Sequence, residues 1–324
     1  MKTDVKLAEF DASKTCDELV AWIRNTVTRE LKKRGAIVGM SGGIDSSVVA
    51  ALCMKALGPS RVVGVAIPEK DSSPVSLRLA SMLADRLNIN LKVEDITGAL
   101  DGLSSYERRD EAIKREFPEY VAGDLFKITL QSNPILDTKL NIFTGTILDV
   151  SGKETSKRLS ANNYLQIVAA SNMKQRLRMT ILYYHAELRN YAVVGTGNKN
   201  EHDLGFFVKF GDGGSDLQPI GHLFKTQIYK LASLLDIPET IINREPTTDT
   251  YPAEVSQEDF FFRLPFEKMD YIWEAVERGL SAEEIAHALH LTSRQVQNVI
   301  EDITRKQRST EYLRLPALRV SREN

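Results

Sequence analysis

The sequence predicts an α/β protein with a doubly wound parallel sheet, an insertion and a C-terminal helical segment. Short apolar runs alternate with helical patterns over residues 15–96, and a glycine-rich turn follows the first run. Hydrophobic residues make up 42% of the 324-residue chain, enough for a full core. Such alternation favours parallel strands joined by right-handed crossovers.

The first half of the chain supplies the alternating elements. Apolar residues at helical spacing predict a helix over residues 15–33, which Gly35 ends. Strands are predicted at residues 36–40, 61–67 and 91–96, with helices at residues 44–57 and 74–87.

The alternation lapses in the second half. Residues 101–160 are mixed and polar, and we interpret them as an insertion in which residues 141–150 are compatible with a hairpin. Next come a predicted long helix at 162–189, a strand at 191–195, an ordered but mobile loop at 197–214, and helices at 225–235 and across 267–307. This organisation gives a main domain over 1–265 and a helical extension over 266–324.

Composition narrows the function classes. The net charge of −2 gives no general attraction to nucleic acid or anionic membranes. The two cysteines, Cys16 and Cys53, form no zinc or disulfide pattern. No apolar run is long enough for a signal core or a membrane span. We therefore expect a soluble cytoplasmic protein with neither nucleic acid nor membrane as a partner.

Residues 41–47, SGGIDSS, lie between a predicted buried strand and a predicted helix. Two glycines let the backbone turn sharply and approach a ligand. The helix start offers unpaired N–H groups and the positive end of its dipole. With the hydroxyls of Ser41, Ser46 and Ser47, these features predict a phosphate cradle. The Gly-Lys-Ser/Thr ending of a Walker A loop is absent.

Asp45 within this loop predicts a metal ion. A carboxylate beside phosphates repels them unless a cation lies between, so we expect Mg²⁺ to bridge Asp45 and phosphate oxygens. The alternative is a Gly-Gly turn with ordinary Ser and Asp capping.

The SGGIDSS string resembles the pyrophosphate-releasing loop of the ATP pyrophosphatase (PP-loop) superfamily. The resemblance implies an adenine nucleotide alpha-hydrolase-like, Rossmann-like fold with ATP as co-substrate. It also implies that ATP adenylates an acceptor oxygen, pyrophosphate leaves, and a nitrogen nucleophile displaces AMP. A carboxylate needs this activation because direct amidation would have to expel oxide. The implied ATP-binding residues here are Gly39, Met40, Ser41, Gly42, Gly43, Ile44, Asp45 and Ser46.

Three downstream segments resemble the ammonia-dependent NAD synthetase family. The first, NMKQRLRM at residues 172–179, is similar to that family's NxxARxRM helix, with Gln175 in place of alanine. The resemblance implies that Arg176 binds deamido-NAD. The alternative is a solvated basic face formed by Lys174, Arg176 and Arg178.

The second segment, GTGNKNE at residues 195–201, follows a predicted strand at the sheet edge where ligands bind in open α/β folds. The resemblance implies that Thr196 contacts ATP and that Glu201 is a magnesium ligand. The alternative is a helix-initiating loop with Glu201 in the first turn.

The third segment, GFFVKFGDGGSDLQPI at residues 205–220, resembles the family's GFFTKYGDGG…DLxPL stretch. The resemblance implies that Lys209 and Asp216 contact deamido-NAD. It places Asp212 by the reacting phosphates, as a candidate catalytic residue. The alternative is a glycine-rich surface loop, which would leave two phenylalanines without apolar partners.

Further positions complete the resemblance. Lys225 and Thr247 are similar to family residues that hold ATP phosphates, and a lysine there would neutralise charge on the leaving pyrophosphate. Arg305 and Lys306 fall where the family often has His-Lys contacting deamido-NAD. Residues 68–73, PEKDSS, look more like the double-serine loop of glutamine-dependent synthetases, with an implied role at the adenine and ribose.

The nitrogen donor is expected to be free ammonia. Glutamine-dependent amidation needs a nucleophilic cysteine in its own domain, and about 35 residues precede the cradle. A separate glutaminase partner stays open. The family resemblance also implies a homodimer whose interface forms part of the deamido-NAD site.

Two other functions stay open at this point. Another enzyme of the superfamily, such as one like GMP synthetase that amidates a different carboxylate, would carry the same cradle. Residues 281–296 also read like a helix-turn-helix, with Ala286, Leu291 and Val296 as packing positions. That pattern fits either a nucleotide- or DNA-binding regulator or an ordinary packed helical hairpin.

Overall fold

The computed structural model describes residues 9–121, 123–130, 134–135, 143–247, 251–253 and 255–320. Its strands are β1 (Ala36–Gly39), β2 (Val62–Ala66), β3 (Asn90–Val93), β4 (Leu125–Leu130), β5 (Phe143–Leu148), β6 (Glu154–Arg158) and β7 (Ala192–Val194). Its α-helices are α1 (Ala12–Asn25), α2 (Ile44–Leu57), α3 (Pro74–Leu87), α4 (Thr97–Gly102), α5 (Ser105–Glu116), α6 (Ala161–Arg189), α7 (Lys199–Leu204), α8 (Lys225–Leu234), α9 (Glu239–Ile242), α10 (Phe266–Glu277), α11 (Ala282–Leu289), α12 (Ser293–Ser309) and α13 (Glu311–Arg314).

The central sheet is parallel, as predicted, with strand order β3-β2-β1-β7. Ile37 of β1 lies opposite Val63 of β2 and Val193 of β7. The chain leaves β1 towards β2 on one side and returns to pair β7 on the other. This order creates a crevice at the carboxyl end of β1, where ligands bind in open α/β sheets.

Both faces of the sheet are covered, which confirms the doubly wound architecture. Val38 points towards the helices α1, α2, α3 and α8, with which it shares a core. Ile37, its neighbour in β1, points the other way and packs with Met179 and Leu182 of α6. Alternation of side chains along the strand therefore supplies both layers.

The insertion contains helices α4 and α5 and an antiparallel sheet of order β4-β5-β6. The expectation of a hairpin at residues 141–150 was wrong: β5 is one strand through most of that range, and residues 141–142 lie outside the described residues. The turn that joins β5 to β6 starts at Asp149, whose Oδ1 accepts hydrogen bonds from the backbone N of Ser151 (2.8 Å) and of Lys153 (3.0 Å). This side-chain capping sets the turn later in the chain than the apolar pattern indicated.

The C-terminal helices form a second core with parts of the main domain. Leu204 of α7 and Phe224, just before α8, are buried among residues of α10, α11 and α12. Ala286 and Val296 are buried in this core, and Leu291 packs against it. The α11–α12 pair is thus packed as a helical hairpin. Within the described part of the chain, no helix has both the length and the apolar character needed to span a bilayer.

Candidate nucleotide site

A cavity of about 930 Å³ opens at the carboxyl ends of β1, β2 and β7. Its walls come from the predicted cradle, the segment after β2, the middle of α6, the loop after β7 and the C-terminal helices. Most of the residues predicted for the site line it, namely Gly39, Met40, Ser41, Gly43, Ile44, Asp45, Ser46, Arg176, Thr196, Glu201, Lys209, Asp212, Lys225, Thr247 and Lys306.

The cradle has the geometry of an anion site. Gly43 caps the N-terminus of α2 without any side-chain hydrogen bond, so the N–H groups of the first turn are not capped by a side chain. Gly42 has φ +72°, and a Cβ there would lie 2.4 Å from the carbonyl oxygen of Ser76. Only glycine fits this turn, and Gly42 supports the cradle from behind, outside the cavity wall.

The serines of the cradle differ in their access to the cavity. Ser41 Oγ and Ser46 Oγ lie 3.2 Å apart on the cavity wall. Ser46 Oγ and Ser47 Oγ both donate to the carbonyl oxygen of Gly43, at 3.0 Å and 2.8 Å. Both therefore brace the first turn of α2, but Ser41 and Ser46 line the cavity whereas Ser47 is fully buried behind it.

A buried ion pair lies at the mouth of the cradle. Lys225 Nζ is 2.5 Å from Asp45 Oδ2, and the lysine side chain is 1% exposed. Asp45 Oδ1 accepts a hydrogen bond from Asn198 Nδ2 (3.1 Å). Burial alone would lower the pKa of Lys225, but Asp45 and Glu201 outweigh it and raise that pKa. The lysine is therefore held as a cation.

Glu201 faces the same pair from α7. Asn198 and Glu201 form a capping box, in which Asn198 Oδ1 accepts from Glu201 N (3.0 Å) and Glu201 Oε2 accepts from Asn198 N (3.2 Å). The helix-initiating role that was the alternative for Glu201 is thus present in the structure. Burial and the charge of Asp45 raise the pKa of Glu201, and Lys225 opposes that shift.

These two carboxylates fit the predicted magnesium site. Among the described residues, no group of three or more His, Cys, Asp or Glu side chains forms a complete metal site. A cation between Asp45 and Glu201 would need further oxygen ligands from a nucleotide or water. Mg²⁺ is commonly bound in this way, by one or two carboxylates together with phosphates.

Helix α6 brings two arginines to the cavity. Arg176 is exposed and its Nε donates to the carbonyl oxygen of Lys209 (3.3 Å). Arg178 Nε donates to the carbonyl oxygen of Ile67 (3.1 Å), at the end of β2. Lys174, by contrast, is buried with a side chain 1% exposed. The solvated basic face considered for this helix is therefore wrong for Lys174.

The loop after α7 carries Lys209 and Asp212. Lys209 Nζ donates to the carbonyl oxygens of Tyr312 (2.8 Å) and Leu315 (2.7 Å). Asp212 Oδ1 accepts from Val208 N (2.8 Å), and its side chain is open to the cavity. The protein around that opening desolvates the carboxyl and raises its pKa to about 6, against the effect of the Val208 hydrogen bond.

The adjacent phenylalanines have partners, as expected. The ring of Phe206 stacks on Phe261 with centroids 4.9 Å apart, and Phe207 stacks on His202 at 5.9 Å. A bare surface loop is therefore excluded for this segment. The expectation of a continuous loop over 197–214 was wrong, because the capping box at Asn198 starts α7 within it.

Besides Gly42, two residues predicted to contact deamido-NAD do not line the cavity. Asp216 accepts hydrogen bonds from Val193 N (2.8 Å) and from the Tyr183 hydroxyl (3.1 Å), which ties β7 to α6. Arg305 is half-exposed and pairs with Asp302 at 2.7 Å. Lys306 does reach the cavity, but its Nζ also donates to the carbonyl oxygen of Phe261 (2.8 Å).

Sequence reasoning missed several polar residues at the site. Arg178 stood in a motif that matched, yet its role was not assigned. Arg244 lines the cavity, donates to Ser76 Oγ (3.0 Å) and lies 3.5 Å from the carbonyl oxygen of Gly42. Gln257 Nε2 donates to Glu201 Oε1 (3.3 Å). The position of Arg244 three residues before Thr247 was the available signal; Gln257 had none, because its contact is tertiary.

Comparison with known proteins agrees with this site. The family model described as NAD synthase matches residues 15–121 and 139–315. The NH(3)-dependent NAD(+) synthetase of Mesorhizobium japonicum is 47% identical over 305 residues, covering 94% of this chain and 95% of that protein.

Two solved structures share the fold. An NMN synthetase from Francisella tularensis has a TM-score of 0.64 at 21% identity, covering 96% of this chain and 99% of its own. An NH3-dependent NAD synthetase from Campylobacter jejuni has a TM-score of 0.61 at 22% identity, with coverage of 96% and 100%. Together with the cradle and its acidic centre, the match over most of its length shows that this chain belongs to the NAD synthase family.

Proposed function

We propose that this protein is an ammonia-dependent NAD synthetase. It activates the nicotinate carboxylate of deamido-NAD with ATP and amidates the adenylate, giving NAD, AMP and pyrophosphate. One observation carries the proposal: a single cavity is lined by the cradle, whose helix N-terminus has no side-chain cap, by the Lys225–Asp45 pair, and by the cationic side chains of Arg176 and Lys209. The proposed site for the triphosphate and the proposed site for a second anionic substrate would therefore be continuous.

The cradle and Lys225 would act on ATP. N–H groups at the start of α2 and the hydroxyls of Ser41 and Ser46 bind phosphate oxygens. Because Lys225 is buried and cationic, it stabilises the negative charge that develops on the leaving pyrophosphate. Arg244 stands beside the cradle and adds a second cation to that wall.

The part of the cavity wall formed by α6 and by the loop after α7 would hold the second substrate. Arg176 and Lys209 are cations open to the cavity, and they suit a carboxylate or a pyrophosphate. Holding the nicotinate carboxylate against the α-phosphate converts a bimolecular encounter into an oriented one. Asp212 lies on this side and, when ionised, attracts ammonium or accepts its proton. Deamido-NAD contacts of Asp216 and Arg305 stay predictions from the resemblance.

Magnesium is proposed at Asp45 and Glu201. When bound there, Mg²⁺ would neutralise the charge of the triphosphate beside two carboxylates. Asn198 orients both acids, since it donates to Asp45 through its side chain and to Glu201 through its backbone.

Free ammonia is proposed as the nitrogen donor. A glutaminase needs a reactive thiolate, and both cysteines of this chain are buried. Burial raises the pKa of the Cys16 thiol and raises that of Cys53 to about 12. Neither sulfur suits a nucleophile, so ammonia comes from solution or from a separate glutaminase. A homodimer, implied by the family resemblance, and a cytoplasmic location, expected from the composition, are further proposals.

A turnover panel tests the function. The protein, ATP, Mg²⁺ and ammonium are combined with deamido-NAD, nicotinic acid mononucleotide or xanthylate, and AMP and the amidated product are measured together. We expect equal amounts of AMP and NAD with deamido-NAD, and little AMP with the other two acids. Faster turnover of nicotinic acid mononucleotide or xanthylate would reject the substrate assignment. Replacement of ammonium by glutamine is expected to abolish product.

A further inference from the structure

A buried charged cluster joins the segment after β2 to the insertion and to α6. Lys174 Nζ lies 3.0 Å from Glu69 Oε1 and 2.7 Å from Asp71 Oδ2. From α5 in the insertion, Arg109 pairs with Asp71 through Nη1, and the Tyr106 hydroxyl donates to Glu69 Oε2 (2.7 Å). One short segment is thus held by two separate helices.

The cluster is nearly closed to solvent. The side chains of Lys174, Glu69 and Arg109 are 1%, 0% and 4% exposed, and that of Asp71 is 10% exposed. Each of these four charges has a partner of opposite sign within the cluster, and Arg109 Nε also pairs with the half-buried Asp110 (2.7 Å). Such pairing is required because a buried charge without a partner is strongly unfavourable. The ring of Tyr106 adds a surface for Lys70 Nζ, which lies 3.5 Å from its centroid.

The opposite side of the same segment forms cavity wall. Ile67, Pro68, Ser72 and Ser73 line the cavity beside the cradle. The backbone N of Glu69 donates to Ser72 Oγ (3.1 Å), and Ser72 N donates to the carbonyl oxygen of Glu69 (2.8 Å). Any shift of Glu69 would therefore move Ser72. Glu69 and Asp71 thus lie in the buried cluster while Ser72 lines the cavity.

The family resemblance implies that residues 68–73 act at the adenine and ribose of ATP. We propose that the buried cluster holds this segment in place, and that the insertion thereby sets nucleotide affinity through Tyr106 and Arg109. The inference rests on the proposed use of ATP. The cradle proposed for the phosphates lies at the end of β1, whereas the segment follows the neighbouring strand β2 and supplies no cation of its own to the cavity wall. The nearby Arg178 of α6 is engaged with the segment itself, through the carbonyl oxygen of Ile67 (3.1 Å) and Ser72 Oγ (3.4 Å). The lining atoms of the segment, from an isoleucine, a proline and two serine hydroxyls, suit a ribose and a base.

The test compares ligands with and without a nucleoside. Tyr106→Phe removes one hydroxyl and keeps the ring, and Arg109→Lys keeps the charge but loses the planar fork. Calorimetry measures the binding of Mg·ATP and of Mg·tripolyphosphate to each variant, with no second substrate present. We expect ATP affinity to fall by about five- to tenfold, the size found for residues that couple to a site indirectly. Tripolyphosphate affinity should change by less than about twofold on the same scale.

The control is Tyr184→Phe, a hydroxyl removed from an exposed tyrosine on α6. It should bind both ligands as the unsubstituted protein does. Unchanged ATP affinity in both Tyr106→Phe and Arg109→Lys would overturn the inference, and so would equal losses for ATP and tripolyphosphate. Failure of the function itself would be seen separately, as absence of NAD formation by the unsubstituted protein.

Discussion

The buried Lys225 pairs with Asp45, and the charge of Glu201 also favours its cationic form. Its Nζ contacts Asp45, and its backbone N donates to Asn200 Oδ1 (2.9 Å), so both ends of the residue are fixed. A side chain held this way loses no further freedom when a ligand arrives. Fixed donors of this kind are the ones that contribute most to the stabilisation of developing charge.

Replacement of Lys225 should therefore affect the chemical step. Lys225→Gln keeps a long polar side chain but removes the cation, and we expect kcat to fall by about 10²- to 10³-fold. Quenched-flow measurement of pyrophosphate release in a single turnover reports this step directly. Lys230→Gln, on the exposed side of the same helix, is the matched control and should keep the rate. A Lys225→Gln rate within about threefold of normal would contradict the assigned role.

The ionised form of Asp212, which the proposed reaction uses, is disfavoured by the folded protein. Folding raises its pKa to about 6, above the usual value near 3.9. The folded state thus binds more protons than the unfolded state between about pH 4 and pH 6, and the contribution of Asp212 to the free energy of unfolding falls as pH rises through that window. Asn at this position retains an acceptor for Val208 N and carries no charge.

We expect Asp212→Asn to be more stable than the unsubstituted protein at pH 7.5, with the gain shrinking towards pH 4, and to lose activity. Urea denaturation at the two pH values measures the difference. Asp203→Asn is the control of opposite sign, because hydrogen bonds from His202 and the nearby Lys199 lower the pKa of Asp203 despite its burial. That variant should lose stability at both pH 7.5 and pH 4, because the lowered pKa keeps Asp203 ionised in the folded state at both values. A pH-independent effect of Asp212→Asn would contradict the raised pKa.

At the scale of elements, the short helix α7 connects the acidic centre of the site with the core formed by the C-terminal helices. Its N-terminus is capped by Asn198 and Glu201 beside the acidic centre. Its C-terminus ends at Gly205, which has φ +78°, and a Cβ there would lie 2.2 Å from Thr310 Cβ. The chain after α12 therefore packs directly onto the turn that leads to Lys209 and Asp212.

Gly205→Ala should cost more than a simple backbone penalty. A non-glycine residue in the left-handed region costs about 1–2 kcal/mol, and overpacking adds about 1–3 kcal/mol. Gly279 gives the matched control, since it has φ +84° but a Cβ there would meet nothing within 4 Å. We expect Gly279→Ala to lose only the backbone contribution in urea denaturation. Equal losses for the two variants would show that Thr310 exerts no steric constraint.

The regular elements were the ones that sequence periodicity could predict. The strands β1 and β2 are apolar runs, and α6 was expected at 162–189 and observed at Ala161–Arg189. The insertion escaped prediction because α5 is highly charged, and burial of its Arg109 depends on Asp71, 38 residues away. The cradle was predictable because its contacts are local. Asp216 and Gln257 were not, since their hydrogen-bond partners come from distant parts of the chain.

At the scale of the whole molecule, the helical extension proposed over 266–324 is tied to the main domain by buried hydrogen bonds. Asp270 of α10 accepts hydrogen bonds from Asn200 Nδ2 (2.6 Å) and from Thr226 N (2.9 Å). Asp270 is 2% exposed and Asn200 is fully buried, so removal of the Asp270 carboxylate alone would leave Asn200 Nδ2 buried without this partner. The extension thus holds the N-terminus of α8, where Lys225 lies. If the extension unfolded separately, the contacts that hold the N-terminus of α8 and Lys225 would be lost before the main core unfolded.

The two tryptophans allow a direct test of this coupling. Trp22 lies in α1, which packs on the sheet core, and Trp273 lies in α10 with its ring 5.4 Å from that of Phe224. Trp273→Phe leaves fluorescence that reports the main domain, and Trp22→Phe leaves fluorescence that reports the extension. Within each variant, we expect the urea midpoint by fluorescence to coincide with that by far-UV circular dichroism, as for one cooperative unit.

Coincidence is expected because Leu204 and Phe224 are buried only when the C-terminal helices cover them. Loss of those helices would expose both side chains, at about 1.5–3 kcal/mol each, and would exchange the hydrogen bonds of Asn200 and Thr226 to Asp270 for hydrogen bonds to water. A Trp273 transition at clearly lower urea than the circular dichroism of the same variant would reject this coupling. The extension would then be a domain that docks onto a preformed site, and Lys225 would keep its position without Asp270.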